Sequence, residues 1–262
     1  MAKKTSVSKI SPQQVRADFN DLRAVVHYTR AAHQLGLWAS EQKVFAQHLP
    51  SDPQALILEA GCGAGRVTMG LYKQGYRRIH AFDFAEELCD MARSLFLERA
   101  TGQAITLFHA DARKIATQPD VTGLRFDAAL FMFNGLMQIP HRRNRRAALR
   151  SIHACCTPSA PLIFTTHDRD HSKGERALWW AEARRWAAGT QNPRLAEYGD
   201  RYFEDDLGRT FMHLPDRAEI LEDLAATGWT HHWDAMRRNI CKESPAVHEF
   251  SDECRFWVSH AS

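Results

Sequence analysis

The stretch Leu56-Ile57-Leu58-Glu59-Ala60-Gly61-Cys62-Gly63-Ala64-Gly65-Arg66 constrains this chain more than any other. A short apolar run ends at an acid, glycines follow at every second position, and a helical pattern then starts. This is a strand driving into a tight turn and out into a helix. Glycine suits such a turn because it takes positive φ without steric cost, and because a side chain would hold a ligand away from the backbone.

The rest of the chain has the matching rhythm. Strands are predicted at Ala55–Ala60, Arg78–Phe82, Ile105–His109, Phe126–Phe133 and Leu162–Thr166. Helices are predicted between them at Arg66–Gln74, Glu86 to about Ala100 and Arg142 to about Cys156. Alternation of this kind means parallel strands joined by right-handed crossovers. Before the first strand, residues 1–10 read as a disordered tail. Ser11 and Pro12 then open a helix whose stripe runs Val15, Phe19, Leu22 and Val26 and stops before Gly36. A second helix restarts at Ser40–Glu41 and breaks at Pro50.

After the fifth strand the rhythm fails. Residues 167–215 hold a helical segment, Glu175–Ala188, and a hairpin pattern in which Arg201–Phe203 and Thr210–Met212 flank Asp205-Asp206-Leu207-Gly208. About fifty residues is too long for an ordinary connection and reads as a lid. A helix at Asp216–Thr227 follows. Strands at Trp229–Met236 and Cys254–His260, joined without an obvious helix, form an antiparallel pair. The expected organisation is residues 1–54 as a tail and helices covering the site, and 55–262 as the catalytic domain with lid 167–215.

Composition excludes several classes. Apolar content of 44% and charged content of 25% are those of a water-soluble globular protein. No apolar run approaches the ~20 residues that a membrane span requires. The start Met1-Ala2-Lys3-Lys4 lacks the apolar core of a secretory leader, so a cytoplasmic location is expected. A net charge of +3 is too weak to name a polyanionic partner. The six cysteines show no CxxC pair, and buried reduced thiols are expected.

Ligands of open parallel sheets sit at the carboxyl ends of the strands. In this register Asp83 tips strand two, Asp111 follows strand three and Asn134 follows strand four. Asp83 lies 22 residues beyond Gly61, where a carboxylate can accept from ribose hydroxyls. Asp111 is placed to meet an adenine amine. Together these indicate an adenosine-containing ligand. The glycines run G-x-G-x-G and position 66 is arginine, whereas the dinucleotide fingerprint runs G-x-G-x-x-G. No second mononucleotide half follows.

On these residues the chain resembles the class I S-adenosylmethionine-dependent methyltransferases, closely over Ala55–Thr166 and by topology in the last two strands. The resemblance implies a Rossmann-like, doubly wound α/β sheet of seven mostly parallel strands with an antiparallel C-terminal pair. It implies S-adenosyl-L-methionine as cofactor, with Asp83 on the ribose, Phe84 packed on the adenine, and Gly61 and Gly63 along the methionine moiety. Glu59, Arg66, Ala112 and Phe133 complete the expected cofactor-binding set, Asp111 standing at the adenine edge. One departure is that strand four ends Phe133-Asn134-Gly135-Leu136, without the Pro-Pro-aromatic signature of enzymes that methylate base amines.

Tyr28 and Trp38, on the N-terminal helices, are candidates to face the sulfonium through cation–π contact. His167, just past strand five, is the candidate general base, and Asn134 the candidate to orient an amine or hydroxyl. The lid aromatics, Trp179 and Trp180 first, are expected to meet the substrate, with most of the others forming a satellite core. His167-Asp168-Arg169-Asp170-His171 reads as a solvated polar loop, and no metal site is expected. His231-His232 is weaker still as a metal pair, because strand alternation sends the two rings to opposite faces. The basic run His141-Arg142-Arg143-Asn144-Arg145-Arg146 reads as a solvated helix face. The expected activity is methyl transfer to nitrogen or oxygen of a small organic molecule, without membrane or nucleic-acid partners. The alternatives are an RNA or protein methyltransferase using the basic run, and a cofactor-binding protein without transfer activity.

Overall fold

The computed structural model describes residues 7–205 and 208–262. Three helices come first: α1 (Pro12–Phe19), α2 (Leu22–Gln34) and α3 (Ala39–His48). The alternating unit follows as β1 (Leu56–Ala60), α4 (Arg66–Lys73), β2 (Arg78–Asp83), α5 (Glu86–Glu98), β3 (Ile105–His109), β4 (Ala128–Phe131), α6 (Arg142–His153) and β5 (Pro161–Thr166). The insertion contributes α7 (Lys173–Ala187) and the hairpin β6 (Asp200–Asp205) and β7 (Gly208–His213). The chain closes with α8 (Arg217–Ala225), β8 (Trp229–Met236), short helices Arg237–Ile240 and Pro245–Phe250, and β9 (Arg255–Ala261). Of the expected hairpin turn, Asp206 and Leu207 lie outside the described residues.

One seven-stranded sheet runs β3-β2-β1-β4-β5-β9-β8, and β9 is antiparallel to both of its neighbours. Both faces are covered, which is why β1 is buried at every position. Leu56 and Leu58 face one core with Phe82, Phe126, Phe164 and Trp257. Ile57 faces the other with Val67, Leu71, Leu130, Ile163 and Val258. Strand order reverses between β1 and β4, the position at which such sheets open a crevice.

Several expectations need correction. The first helix is two helices, because Asp21 accepts from the Arg23 amide at 3.0 Å and caps a new start. That break changes the phase: Ala24, Val25, Ala31 and Ala32 turn inward, while Leu22 and Val26 stand 74% and 56% exposed instead of continuing the stripe. The tail is ordered at its end, where the Ile10 amide donates to Arg194 O at 3.0 Å and its side chain packs with Val15 and Phe211. The last two strands are joined by two short helices, not by a bare loop. The cysteines are free, and all except the half-buried Cys241 are buried, as expected.

The basic run is largely internal. Arg145 is fully buried and reaches Glu197 at 3.0 Å and Glu219 at 3.2 Å. Arg142 and Arg146 both meet Asp223 at 2.6 Å. Only Arg143 and Arg150 keep the exposed face expected of the run. The loop after β5 is likewise built into ion pairs: Asp168 with Arg255 at 2.7 Å, and Arg169 with Asp216 and Glu219.

Candidate active site

A cavity of about 1070 Å3, counting its open mouth, lies over the carboxyl ends of β1 to β4. Its floor is the glycine turn. Gly61, Gly63 and Gly65 all have positive φ, at +64°, +54° and +88°. A Cβ on Gly61 would come within 2.8 Å of the Phe131 ring, so that position tolerates no side chain. A Cβ on Gly63 would meet nothing within 4 Å, which is the open space a ligand needs against bare backbone.

Asp83 ties the turn to the end of β2. Its Oδ2 accepts from the Gly63 amide at 2.7 Å and its Oδ1 from the Ala85 amide at 2.9 Å. Burial nevertheless pushes its carboxyl above the usual range. Each oxygen keeps acceptor capacity for a ligand hydroxyl. Glu59, at the end of β1, is 2% exposed and accepts from the Thr68 hydroxyl at 2.5 Å. Burial lifts it to about 8, so it is mostly protonated at neutral pH.

Cavity-lining residues include Tyr28, Glu59, Gly61, Gly63, Arg66, Asp83, Phe84, Asp111, Ala112 and Phe133, ten of the eleven expected cofactor residues. Two of them are already engaged. Both Asp111 oxygens accept from the Arg113 side chain, at 2.5 to 3.0 Å. Burial pushes that carboxyl up, but the Arg113 bonds outweigh it and hold it below the usual range. The Arg66 guanidinium is clamped by Glu41 at 2.6 and 2.7 Å and by Gly36 O at 2.8 Å. Arg66 therefore braces the glycine turn and has little left for a ligand.

Trp38 is the exception among the expected cofactor residues. It is 2% exposed and stands behind Phe133, ring centroids 5.5 Å apart, between the guanidinium groups of Arg66 and Arg237. Neither Asn134 nor His167 lines the cavity. His167 Nδ1 lies 3.0 Å from Glu253 O, which can only accept, so Nδ1 carries the proton. Nε2 then accepts from Asn134 Nδ2 at 3.2 Å. Burial holds His167 below the ordinary imidazole value, in keeping with this neutral tautomer. The histidine's lone pair is spent on orienting Asn134 and is not directed at the cavity. Asn134 Oδ1 remains buried without a partner, and Phe133 and Asn134 both hold positive φ, at 52° and 59°.

The lid residues also differ from expectation. Trp179 is buried under the insertion against Tyr198, and Trp180 is 65% exposed beneath the Arg184 guanidinium. No described residue of 167–215 lines the cavity. The insertion instead buttresses α1, since Phe211 packs on Ile10 and Val15, and the Tyr202 hydroxyl donates to Asp18 at 2.9 Å. The wall comes from α1 itself, through Pro12, Val15 and Phe19.

Phe250 and Gln138 were not anticipated. Phe250, on the short helix between β8 and β9, stacks on Phe133 at 5.2 Å and lies 6.5 Å from Tyr28. No motif marks it, because only the return of β9 into the sheet brings it over the glycine turn. Burial pushes the Tyr28 phenol up to about 12, against an opposing hydrogen bond with Gln138.

Glu197, Asp200 and His213 come close enough together to suggest a cation site. Their atoms are already matched, however: His213 bridges Asp200 and Glu219 at 2.9 Å each, and Glu197 meets Arg145. This cluster holds the hairpin to α6 and α8.

Residues 57–159 match the family model described as a methyltransferase domain. The chain therefore carries a class I S-adenosylmethionine-dependent methyltransferase domain, an enzyme whose cofactor is S-adenosyl-L-methionine. No curated protein sequence matches it. Solved structures share its fold. A methyltransferase from Methanosarcina mazei superposes with a TM-score of 0.63 at 15% identity, covering 87% of this chain and 99% of its own. Magnesium protoporphyrin IX methyltransferase from Synechocystis PCC 6803, with S-adenosylhomocysteine bound, gives 0.58 at 16%, covering 95% and 99%. The cyclase SpnF gives 0.67 at 15%, covering 98% and 99%. A cyclase among methyltransferases shows that this fold alone does not fix the reaction.

Proposed function

We propose that the protein transfers a methyl group from S-adenosyl-L-methionine to a nitrogen or oxygen of a small organic molecule. The observation that carries this is the aromatic end of the cavity, where the half-buried rings of Tyr28, Phe133 and Phe250 meet. A concave aromatic wall of this kind suits a small organic molecule.

The donor supplies a methyl group already activated on a sulfonium, so the chain's work is positioning. Asp83 takes the ribose hydroxyls, Phe84 and Ala112 flank the adenine, and Gly61 and Gly63 give backbone to the methionine portion. Asn134, held by His167, lies behind the cavity wall between Phe133 and Gly135, which line it. His167 is in this reading a positioning residue, because its one basic nitrogen is occupied. A macromolecular acceptor is less well supported, since Arg142, Arg145 and Arg146 are consumed by internal ion pairs. We place the enzyme in the cytoplasm; among the described residues no helix is long and apolar enough to cross a membrane.

Calorimetry with S-adenosylhomocysteine tests the cofactor half, and Asp83→Ala is expected to abolish binding. For the acceptor, the enzyme is incubated with methyl-labelled cofactor and a cell extract fractionated by size. Label in the small-molecule fraction is expected. Label confined to RNA or protein, or no transfer at all, would refute the acceptor class.

A further inference from the structure

The cavity has two ends of unlike chemistry, because strand order places β2 and β3 on one side of β1 and β4 on the other. Its charged lining residues are Asp83, Asp111 and Arg113 at the β2–β3 end, with Glu59 and Arg66 flanking the glycine turn. The lining that follows β4 is Phe133, Gly135, Gln138, Ile139 and Pro140, all uncharged. Phe133 gathers Tyr28 at 5.9 Å and Phe250 at 5.2 Å, and Tyr28 in turn meets Phe19 at 5.7 Å. Four aromatic rings therefore stand at this end. The polar side chains beside them, among the described lining residues, are the Tyr28 phenol and the Gln138 amide, which hydrogen-bond each other.

No described residue lining this end takes up a proton near neutral pH. Burial pushes the Tyr28 phenol up to about 12, so it keeps its proton. Glu59 is tied to Thr68 at the end of β1, and burial pushes the Cys62 thiol well up. His167 lies outside the cavity with both ring nitrogens engaged. An acceptor hydroxyl must surrender its proton to attack, whereas an uncharged nitrogen already carries its lone pair. Aromatic faces also suit the cation that such a nitrogen becomes on methylation.

Resting on methyl transfer to a small molecule, we propose that the acceptor is an uncharged aromatic compound that reacts through a nitrogen lone pair, selected by Tyr28 and Gln138. The lone pair forms the new N–C bond as the C–S bond breaks, and that bond's electron pair goes to sulfur. Positive charge passes from sulfur to nitrogen, so the step needs no base. A nitrogen that carries hydrogen releases it to water afterwards. The phenol and the amide offer both donor and acceptor groups to a neutral polar substituent on the ring. A carboxylate or phosphate on the acceptor meets no free cation, since Arg66 and Arg113 are held by Glu41 and Asp111.

The test incubates the full chain with cofactor whose methyl carbon is isotope-labelled and with the small-molecule fraction of a cell extract. The NMR shift of the transferred carbon reports the atom it is bonded to, and ion exchange reports whether the acceptor is acidic. Label on nitrogen of a non-acidic aromatic compound is expected. Label on oxygen, or on nitrogen of an acidic or aliphatic compound, overturns this inference alone. Label on another element, or none in the fraction, overturns the proposed function with it. For the acceptor so identified, Gln138→Leu and Tyr28→Phe, which keeps the ring and removes only the hydroxyl, are each expected to raise KM about fivefold. Calorimetric affinity for S-adenosylhomocysteine stays unchanged in both. An unchanged KM, or an equal loss for both ligands, overturns the selecting role of the pair.

Discussion

Glu59→Gln isolates the energetic consequence of ending β1 on a buried acid. Burial raises Glu59 from 4.5 to about 8, so the folded chain holds a proton that the unfolded chain releases across that interval. Its contribution is complete below about 4.5, and stability is lost as pH rises through about 8. At about 1.4 kcal/mol per unit, the whole shift corresponds to about 5 kcal/mol. Because Glu59 is 2% exposed, solvent screening does not reduce this figure. Glutamine mimics the protonated acid and still accepts from the Thr68 hydroxyl, so the variant escapes the penalty. Urea unfolding of both proteins between pH 5 and pH 8 should show the variant gaining on the wild type by up to about 4 kcal/mol as pH rises. Neighbouring carboxylates such as Asp83 titrate in both and cancel in the difference. Parallel pH profiles would refute the reasoning and show that Glu59 is ionised in the native protein.

Three further outcomes follow from the geometry. Arg145→Ala strips the buried partner from Glu197 and Glu219 and should cost about 3 to 5 kcal/mol in chemical denaturation; a loss below about 1 kcal/mol would mean the network is not a structural clamp. Tyr202→Phe removes the hydroxyl that holds Asp18 of α1, worth about 1 kcal/mol, and should speed S-adenosylhomocysteine release about fivefold in stopped-flow measurements. An unchanged rate would show that α1 does not gate the cavity. Phe250→Ala removes the ring stacked on Phe133, also worth about 1 kcal/mol, and calorimetry should show S-adenosylhomocysteine affinity falling by about fivefold. No change would place the donor away from that wall.

The glycine turn, the acids at strand tips and the alternating βα order were legible because each depends on near neighbours along the chain. A strand with both faces buried reads as continuous apolar sequence, and a turn requiring positive φ reads as glycine. Asn20-Asp21 carried a local signal too, since aspartate is a good helix cap, but a continuous apolar stripe masked it.

What closes the cavity was not legible. Phe250 reaches Phe133 only because β9 re-enters the sheet between β5 and β8. Arg145 is buried because residues about 50 and 70 positions away bring it carboxylates. The lid aromatics looked like substrate contacts, yet the insertion packs behind α1 and leaves α1 to line the site. The sequence by itself determined the donor, since backbone shape at Gly61–Gly65 and the acid at Asp83 are local properties. The tertiary structure decided which walls an acceptor meets, because those walls are long-range packing between segments whose sequences carry no mark of each other.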